Sequence, residues 1–407
     1  MVCARRLRKD YGTDMTINSA GKLKTRTATL VGYHGYQNLG DDIFRRLVCQ
    51  WLYSSFQIET IYISTKQDGT VCCDSQMQIV PFRSFFTYIS RLLWLSVFCK
   101  SLKSKALIFS AGSIFTIQPF FLIYLTLRLL RLLRGNELRV LAIGVSIGPF
   151  HSSSDQHWCL KCLALIDYVL VRDSQSKLLI DESGHTINVH ESFDLALCWG
   201  KVPTVPKLAG SVPILGLVVT ERAFGTCTAE HSVNCAGMLQ VVREMATEIK
   251  ELRVRILCVC NDESDGDRLI SQHVYENLSS PLGNALELIY YENDKVEEML
   301  GLIAECSSLI SARMHAGIMG TLASVPVYQI SYADKIKEFY IHSELSTQYL
   351  ADHTNLSYVS LSEFLSRSLK GQLQDFAHTQ KMILEEKGRQ ITSKLMELAE
   401  QSKPNHC

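Results

Sequence analysis

The residues best suited to chemistry stand where strands turn into helices. In the stretch Ser307–Phe339, the apolar run Ser307–Ile310 leads into Ser311-Ala-Arg313-Met-His315. That pattern predicts a buried parallel strand followed by a helix. Ser311 is the expected N-cap, which puts Arg313 and His315 in the first helical turn. Unsatisfied N–H groups and the positive end of the helix dipole favour an anion there, and both side chains add donors. Val325–Ile330 is the next strand, followed by Tyr332 and Lys335. Upstream, Asp167–Val171 is a strand ending in Arg172-Asp173, with Ser174 as the expected N-cap of the next helix. Arg172 therefore repeats the setting of Arg313. Two guanidiniums in matching places suit a phosphorylated, acidic small molecule, whose anionic groups arginine binds through paired hydrogen bonds. The plainer alternatives are a surface pair of Arg172 with Asp173, and a helix start at which Arg313 and His315 only pair with local carboxylates.

Such residues need a frame. A chain of 407 residues exceeds one ordinary core, so two domains are expected. Strands alternate with helices throughout, which implies parallel sheets in both halves. The expected fold class is α/β: two doubly wound Rossmann-like domains facing across a cleft, the GT-B arrangement, with a C-terminal helical extension. The expected divisions are a basic arm over 1–26, an N-terminal α/β domain over 27–199 and a linker over 200–212. A C-terminal α/β domain over 213–345 and a helical extension over 346–407 follow. The last segment reads as a solvated helix face without chemistry.

Ligands of such sheets gather at the carboxyl ends of the strands, so the loops there matter. Thr27–Tyr33 is a strand, and Gly32 to Asp42 forms a glycine-bearing loop before a helical IFRRLVCQWL. The glycines fit neither GxGxxG nor a P-loop. Either the loop is a tight turn that needs Gly35 and Gly40, or Asn38 and Asp41 point into the cleft. Lys105–Ser110 is a strand ending in Ala111-Gly112-Ser113, and Leu138–Ile147 a strand leading to His151, which faces the same cleft. No role is expected for His157.

Composition excludes several classes. Lys+Arg 41 balances Asp+Glu 41, against the cationic excess that nucleic-acid binding needs. Hydrophobic residues at 47% and charged residues at 20% indicate a globular chain. The 14 cysteines include Cys159/Cys162, Cys258/Cys260 and Cys72/Cys73, but no second pair completes a zinc spacing. Free thiols in a reducing compartment are expected, and no metal site. The N-terminus lacks an apolar core of signal-peptide length, which points to the cytoplasm. Two apolar, arginine-bearing stretches, Phe85–Cys99 and Pro119–Leu133, fall short of the ~20 residues that span a bilayer. Each reads as a helix of the domain or as a surface helix on the inner face of a membrane, with arginines at its rim.

Several of these segments together resemble the polysaccharide pyruvyl transferases. Ser311-Ala-Arg313-Met-His315-Ala-Gly317, Val325-Pro326-Val327 and Tyr332-Ala-Asp-Lys335 are similar to that family's most specific block. Gly32…Asn38-Leu-Gly40-Asp41 is similar to its opening loop. Ala111-Gly112-Ser113 is similar to its second turn, with Ala111 at a common glycine. Val171-Arg172-Asp173 and Asp194 are similar to its VRD and DLA steps. The resemblance runs from about Thr29 to Phe339. It implies transfer of a pyruvyl group from phosphoenolpyruvate to a sugar acceptor, free or lipid-linked, as a cyclic ketal, with no cofactor. It implies donor binding by Arg313 and Arg172, and donor contact or proton transfer by His315, with His151 as a further proton-transfer candidate. Asn38 and Asp41 go to the acceptor or its loop, while Gly112, Ser113, Tyr332 and Lys335 line the substrate site. Two rivals share the frame. One is a GT-B glycosyltransferase using a nucleotide-sugar, for which Glu338 is the candidate ribose carboxylate. The other is a non-catalytic, membrane-associated polysaccharide-assembly protein, motivated by Phe85–Arg134.

Overall fold

In a computed structural model of the chain, described at residues 26–66, 77–83, 90–116, 118–200, 202–205, 211–225, 233–262 and 266–401, two parallel sheets carry the architecture. The basic arm through residue 25, the Cys72-Cys73 pair, and residues 201 and 206–210 of the expected linker lie outside the described residues.

The first sheet has seven strands: β1 (Thr27–His34), β2 (Thr60–Thr65), β3 (Gln78–Arg83), β4 (Ala106–Phe109), β5 (Arg139–Val145), β6 (Tyr168–Val171) and β7 (Val189–Glu191). Their order is β3-β2-β1-β4-β5-β6-β7. The second has six: β8 (Ile214–Val218), β9 (Arg253–Cys258), β10 (Leu286–Tyr290), β11 (Ser308–Ser311), β12 (Val327–Ser331) and β13 (Leu350–Asp352), in the order β10-β9-β8-β11-β12-β13. All pairings are parallel. Both sheets thus have the doubly wound order, which reverses between β1 and β4 and again between β8 and β11. At such a reversal the loops diverge and leave a crevice.

The central strands read as continuous apolar runs because both faces are covered. In β1, Leu30 joins the cluster beneath α1 (Leu39–Phe56), and Val31 joins the one beneath α2 (Ser90–Ser101), α3 (Phe120–Arg134) and α4 (Ser153–Leu163). In the second half, α7 (Val233–Glu248), α8 (Arg268–Leu282) and α12 (Tyr358–Leu369) cover one face, with α9 (Val296–Glu305) and α10 (Met314–Leu322) on the other. α5 (Ser174–Asp181), the short α6 (Glu221–Phe224) and α11 (Asp334–His342) follow strand ends at the cleft.

Two expected caps move by a residue or two. Ser311 ends β11, and Arg313 is the N-cap of α10, which no side chain among the described residues caps. Ser311 Oγ instead accepts from the Arg313 N–H at 3.3 Å. At α5 the cap is Asp173, whose carboxylate accepts from the Ser176 N–H at 2.8 Å, and Ser174 is the first helical residue.

The halves meet closely. Leu39 N–H donates to the Val259 carbonyl at 3.0 Å and Asn261 N–H to the Gln37 carbonyl at 2.9 Å. The last helix, α13 (Gln374–Gln401), is charged on its outer side, but Leu384 and Ile391 are fully buried. It packs on α1, on α10 and on the turn Leu195–Cys198, and the Trp51 indole donates to the Leu395 carbonyl at 3.2 Å. It is therefore amphipathic rather than solvated all round. Apolar positions at 377, 384 and 391 hold one face to the core.

Candidate active site

The cleft is built from strand ends of both sheets. β1 and β4 deliver Asn38, Asp41, Gly112 and Ser113. β6 delivers Arg172, β8 leads to Arg222, β11 to Arg313 and His315, and β12 to Tyr332 and Lys335.

Asp194 joins the halves. Its carboxylate accepts from Arg172 Nη1 at 2.8 Å and lies 3.5 Å from His315 Nε2. Burial works to raise the Asp194 carboxyl, but His315, Arg172 and the Ala196 N–H outweigh it and hold the pKa down at about 2. Arg172 also donates from Nε to Ser146 Oγ at 2.8 Å. Phe44 of α1 packs against both partners: its ring lies edge-on to His315 at 5.3 Å and beneath the Arg172 guanidinium at 6.0 Å. Arg313 is held by a two-point ion pair with buried Asp267, at 2.6 and 2.7 Å. Burial disfavours the Arg313 charge, yet the Asp267 pair more than compensates and raises its pKa. The pair fixes the guanidinium beside the uncapped N-terminus of α10.

Asp41 and Lys335 face these arginines. Asp41 is half-buried and Lys335 is exposed to the cleft, each crowded by charged neighbours. Burial, then the neighbouring Asp42, pushes the Asp41 carboxyl up to about 7 against the pull of Arg172, Lys335 and Arg313. Burial, then Arg172, Arg222 and Arg313, brings Lys335 down to about 8 against the pull of Asp41. Two groups of opposite type thus titrate near neutrality in one crevice, a setting suited to proton transfer.

Two glycines are needed for these approaches. A Cβ on Gly40 would lie 2.0 Å from His315 Nδ1, and one on Gly112 would lie 2.3 Å from Arg172 Nη1. Asn38 caps α1, its side-chain oxygen accepting from the Gly40 N–H at 3.1 Å, and it forms an antiparallel bridge with Cys260 of the other half. Tyr332 is half-buried and close enough to Arg313 to affect its charge. Ser113 is half-buried on the turn after β4, its carbonyl accepting from the Thr116 hydroxyl at 2.8 Å. Glu338 lines a small pocket with Arg172, Asp194 and Lys335. His151 is exposed, and among the described residues no contact joins it to this cluster. Cys159, Cys162, Cys258 and Cys260 are buried and form no disulfide among the described residues.

Sequence reasoning missed Asp267, Arg222 and Phe44. Arg222 follows β8, the counterpart in the second sheet of β1, so the parallel between the halves could have marked it. Asp267 lies 46 residues before Arg313, and no local pattern links the two. Phe44 reads as one more apolar residue of an amphipathic helix.

The family model for polysaccharide pyruvyl transferase matches residues 38–334. Comparison with curated protein sequences gives no match. Among solved structures, a protein from Listeria monocytogenes described as a UDP-N-acetylglucosamine 2-epimerase superposes with a TM-score of 0.60 at 10% identity, covering 93% of this chain and 98% of its own. HepE from Anabaena, in complex with UDP and glucose, gives a TM-score of 0.60 at 10% identity, with 92% and 99% covered. A glycosyltransferase from Rickettsia africae gives 0.53 at 13% identity, with 93% and 99% covered. At these identities the likeness establishes the GT-B-like fold alone.

Proposed function

Because the chain belongs to the polysaccharide pyruvyl transferase family, we propose that its cleft binds phosphoenolpyruvate and moves the enolpyruvyl group onto two hydroxyls of a sugar as a pyruvate ketal. The observation that carries this reading is the convergence of Arg172, Arg313 and Lys335 on Asp41, beside the uncapped start of α10. A donor bearing both phosphate and carboxylate needs several fixed cations, and enol chemistry needs a proton donor near neutral pH.

In this reading Arg313 and the first N–H groups of α10 hold the phosphate, and Arg172 and Lys335 hold the carboxylate. Protonated Asp41 gives its proton to the methylene carbon, which leaves oxocarbenium character on the carbon bearing phosphate. The first sugar hydroxyl adds there and passes its proton to the ionised Asp41. Phosphate then leaves with the C–O electron pair, and the second hydroxyl closes the ring and yields its proton to the departing phosphate. The balance is one phosphoenolpyruvate and one diol in, one ketal and one inorganic phosphate out. His315, held by Asp194, contacts the donor oxygens. Asn38 shapes the acceptor loop through its cap on α1.

The test is incubation with phosphoenolpyruvate and candidate acceptors, with mass spectrometry scored for the ketal. Arg313→Ala is expected to abolish the thermal shift that phosphoenolpyruvate gives the wild type, and Asp41→Asn to lower turnover by ~10²–10⁴. Wild-type turnover in Asp41→Asn would remove Asp41 from the chemistry, and a loss of that size in His315→Ala would give histidine a part in proton transfer. A shift with nucleotide-sugars and none with phosphoenolpyruvate would favour the glycosyltransferase alternative, with Glu338 at the ribose.

A further inference from the structure

The N-terminal half carries an apolar face that no described part of the chain covers. α3 buries Phe120, Ile123, Leu127 and Leu130 against the sheet. It turns Phe121, Leu125, Leu129 and Leu132 outward, at 51%, 45%, 41% and 80% exposure. Steps of four, four and three residues place these on one stripe. Leu95 of α2, the helix packed beside α3, is also outward at 56%. Single exposed leucines are ordinary on a protein surface, but a stripe of large apolar side chains marks a contact.

Charge identifies what the contact is. From Ser90 to Arg139 the sequence holds eight lysines and arginines and one acidic residue, Glu137, although the whole chain balances 41 against 41. α3 itself carries three arginines and no carboxylate. Arg131 and Arg134 fold back, the first onto Asp167 and the Leu165 carbonyl, the second onto the Leu102 carbonyl. Arg128 stays exposed within the stripe, between Leu125 and Leu132. At the start of the helix Phe121 and Tyr124 pack on Trp158 of α4, at 4.9 and 5.3 Å. Tryptophan and tyrosine prefer the boundary between water and acyl chains. A second copy laid on this face would bring the same excess of cations against it. No helix among the described residues is long and apolar enough to cross a membrane.

We propose that the α2–α3 face rests on an anionic bilayer surface. The stripe from Phe121 to Leu132 enters the headgroup–acyl boundary, and Arg128 meets the lipid phosphates. The inference does not depend on which substrate the cleft takes.

The test is co-sedimentation of the full chain with vesicles of phosphatidylcholine alone and of phosphatidylcholine mixed equally with phosphatidylglycerol. Binding is expected to the mixed vesicles, weakened by salt. The double variant Leu129→Ser/Leu132→Ser is expected to lower partitioning at least about tenfold, and Arg128→Gln about fivefold. Val359→Ser, at an equally exposed site on α12, is expected to leave it unchanged. Because the stripe is exposed, these variants are expected to melt like the wild type, which circular dichroism checks. The proposal is overturned if the wild type ignores anionic vesicles or if the double variant binds as well as the wild type. It is also overturned if light scattering shows a wild-type dimer that the double variant turns into a monomer, since a second copy then covers the face.

Discussion

Asp41 is the side chain whose proton the cleft controls most directly. Its carboxyl is raised from the usual 3.8 to about 7, so it is an acid over the range in which most carboxyls are spent. If it protonates the donor, turnover falls as pH rises through about 7, and Asp41→Asn removes that limb along with most of the rate. The same shift has a stability sign. A carboxyl with a raised folded pKa contributes stability below its ordinary value, and that contribution is lost as pH rises through about 7. Asp41→Asn is therefore expected to melt higher than the wild type above pH 7 and alike near pH 4, so lost activity cannot be blamed on lost fold. His34 has the opposite sense. Burial, then Arg45, lowers its pKa from 6.5 to about 3, and neither ring nitrogen finds a hydrogen bond among the described residues. The unfolded chain takes up a proton that the folded one refuses, so stability is present above 6.5 and falls as pH drops towards 3. Denaturant titrations should show a shallower acid slope in His34→Leu.

At the scale of elements, the glycines at two helix and strand ends set how closely Arg172 and His315 approach the turns. An alanine at Gly112 would strike the Arg172 guanidinium, and one at Gly40 the His315 ring. The struck atoms are ends of side chains that can swing away, so Gly112→Ala and Gly40→Ala are expected to fold and to melt nearly as the wild type. If these side chains hold the donor as proposed, misplacing them by about 1 Å is expected to cost kcat/KM about 10²-fold. Steady-state kinetics beside a melting curve checks both halves of that expectation. Much of this frame was legible in the sequence. The central strands betray themselves as apolar runs, and Arg313, His315 and Lys335 stand in one stretch that reads strand, helix, strand, helix. What stayed hidden is what local pattern cannot carry. β3, β7 and β13 are edge strands, short or interrupted by Pro81, and an edge strand lacks the two-sided burial that makes a strand readable. The Asp267 pairing spans distant elements and leaves no spacing. The start of α5 was misplaced because serine and aspartate both serve as caps, and that of α10 because its N-cap, Arg313, is not a capping residue type.

At the scale of the molecule, the question is whether two doubly wound sheets behave as two domains. One apolar cluster contains Leu39 and Phe44 of the first half, Met314 and Ile318 of the second, and Leu384 and Ile391 of α13. Across the same boundary the Tyr291 hydroxyl donates to Asp42 at 2.6 Å, and Arg45, 1% exposed, pairs with Asp42 and Asp294. A hinge made only of polar rim contacts would let each half melt by itself. Here either half, unfolding alone, would expose the shared core and strand buried charges in the other. We therefore expect one cooperative calorimetric transition. Arg45→Ala, which removes the buried cation that Asp42 and Asp294 share, should lower the stability of the whole by about 3–5 kcal/mol. Removing α13 after Leu373 should prevent stable folding of both halves, because Leu384, Ile391, Leu395 and Leu398 cover the seam between them. Two separate transitions in the intact chain, or a first half that melts normally in the truncated one, would show that the seam is wetter than its buried side chains indicate.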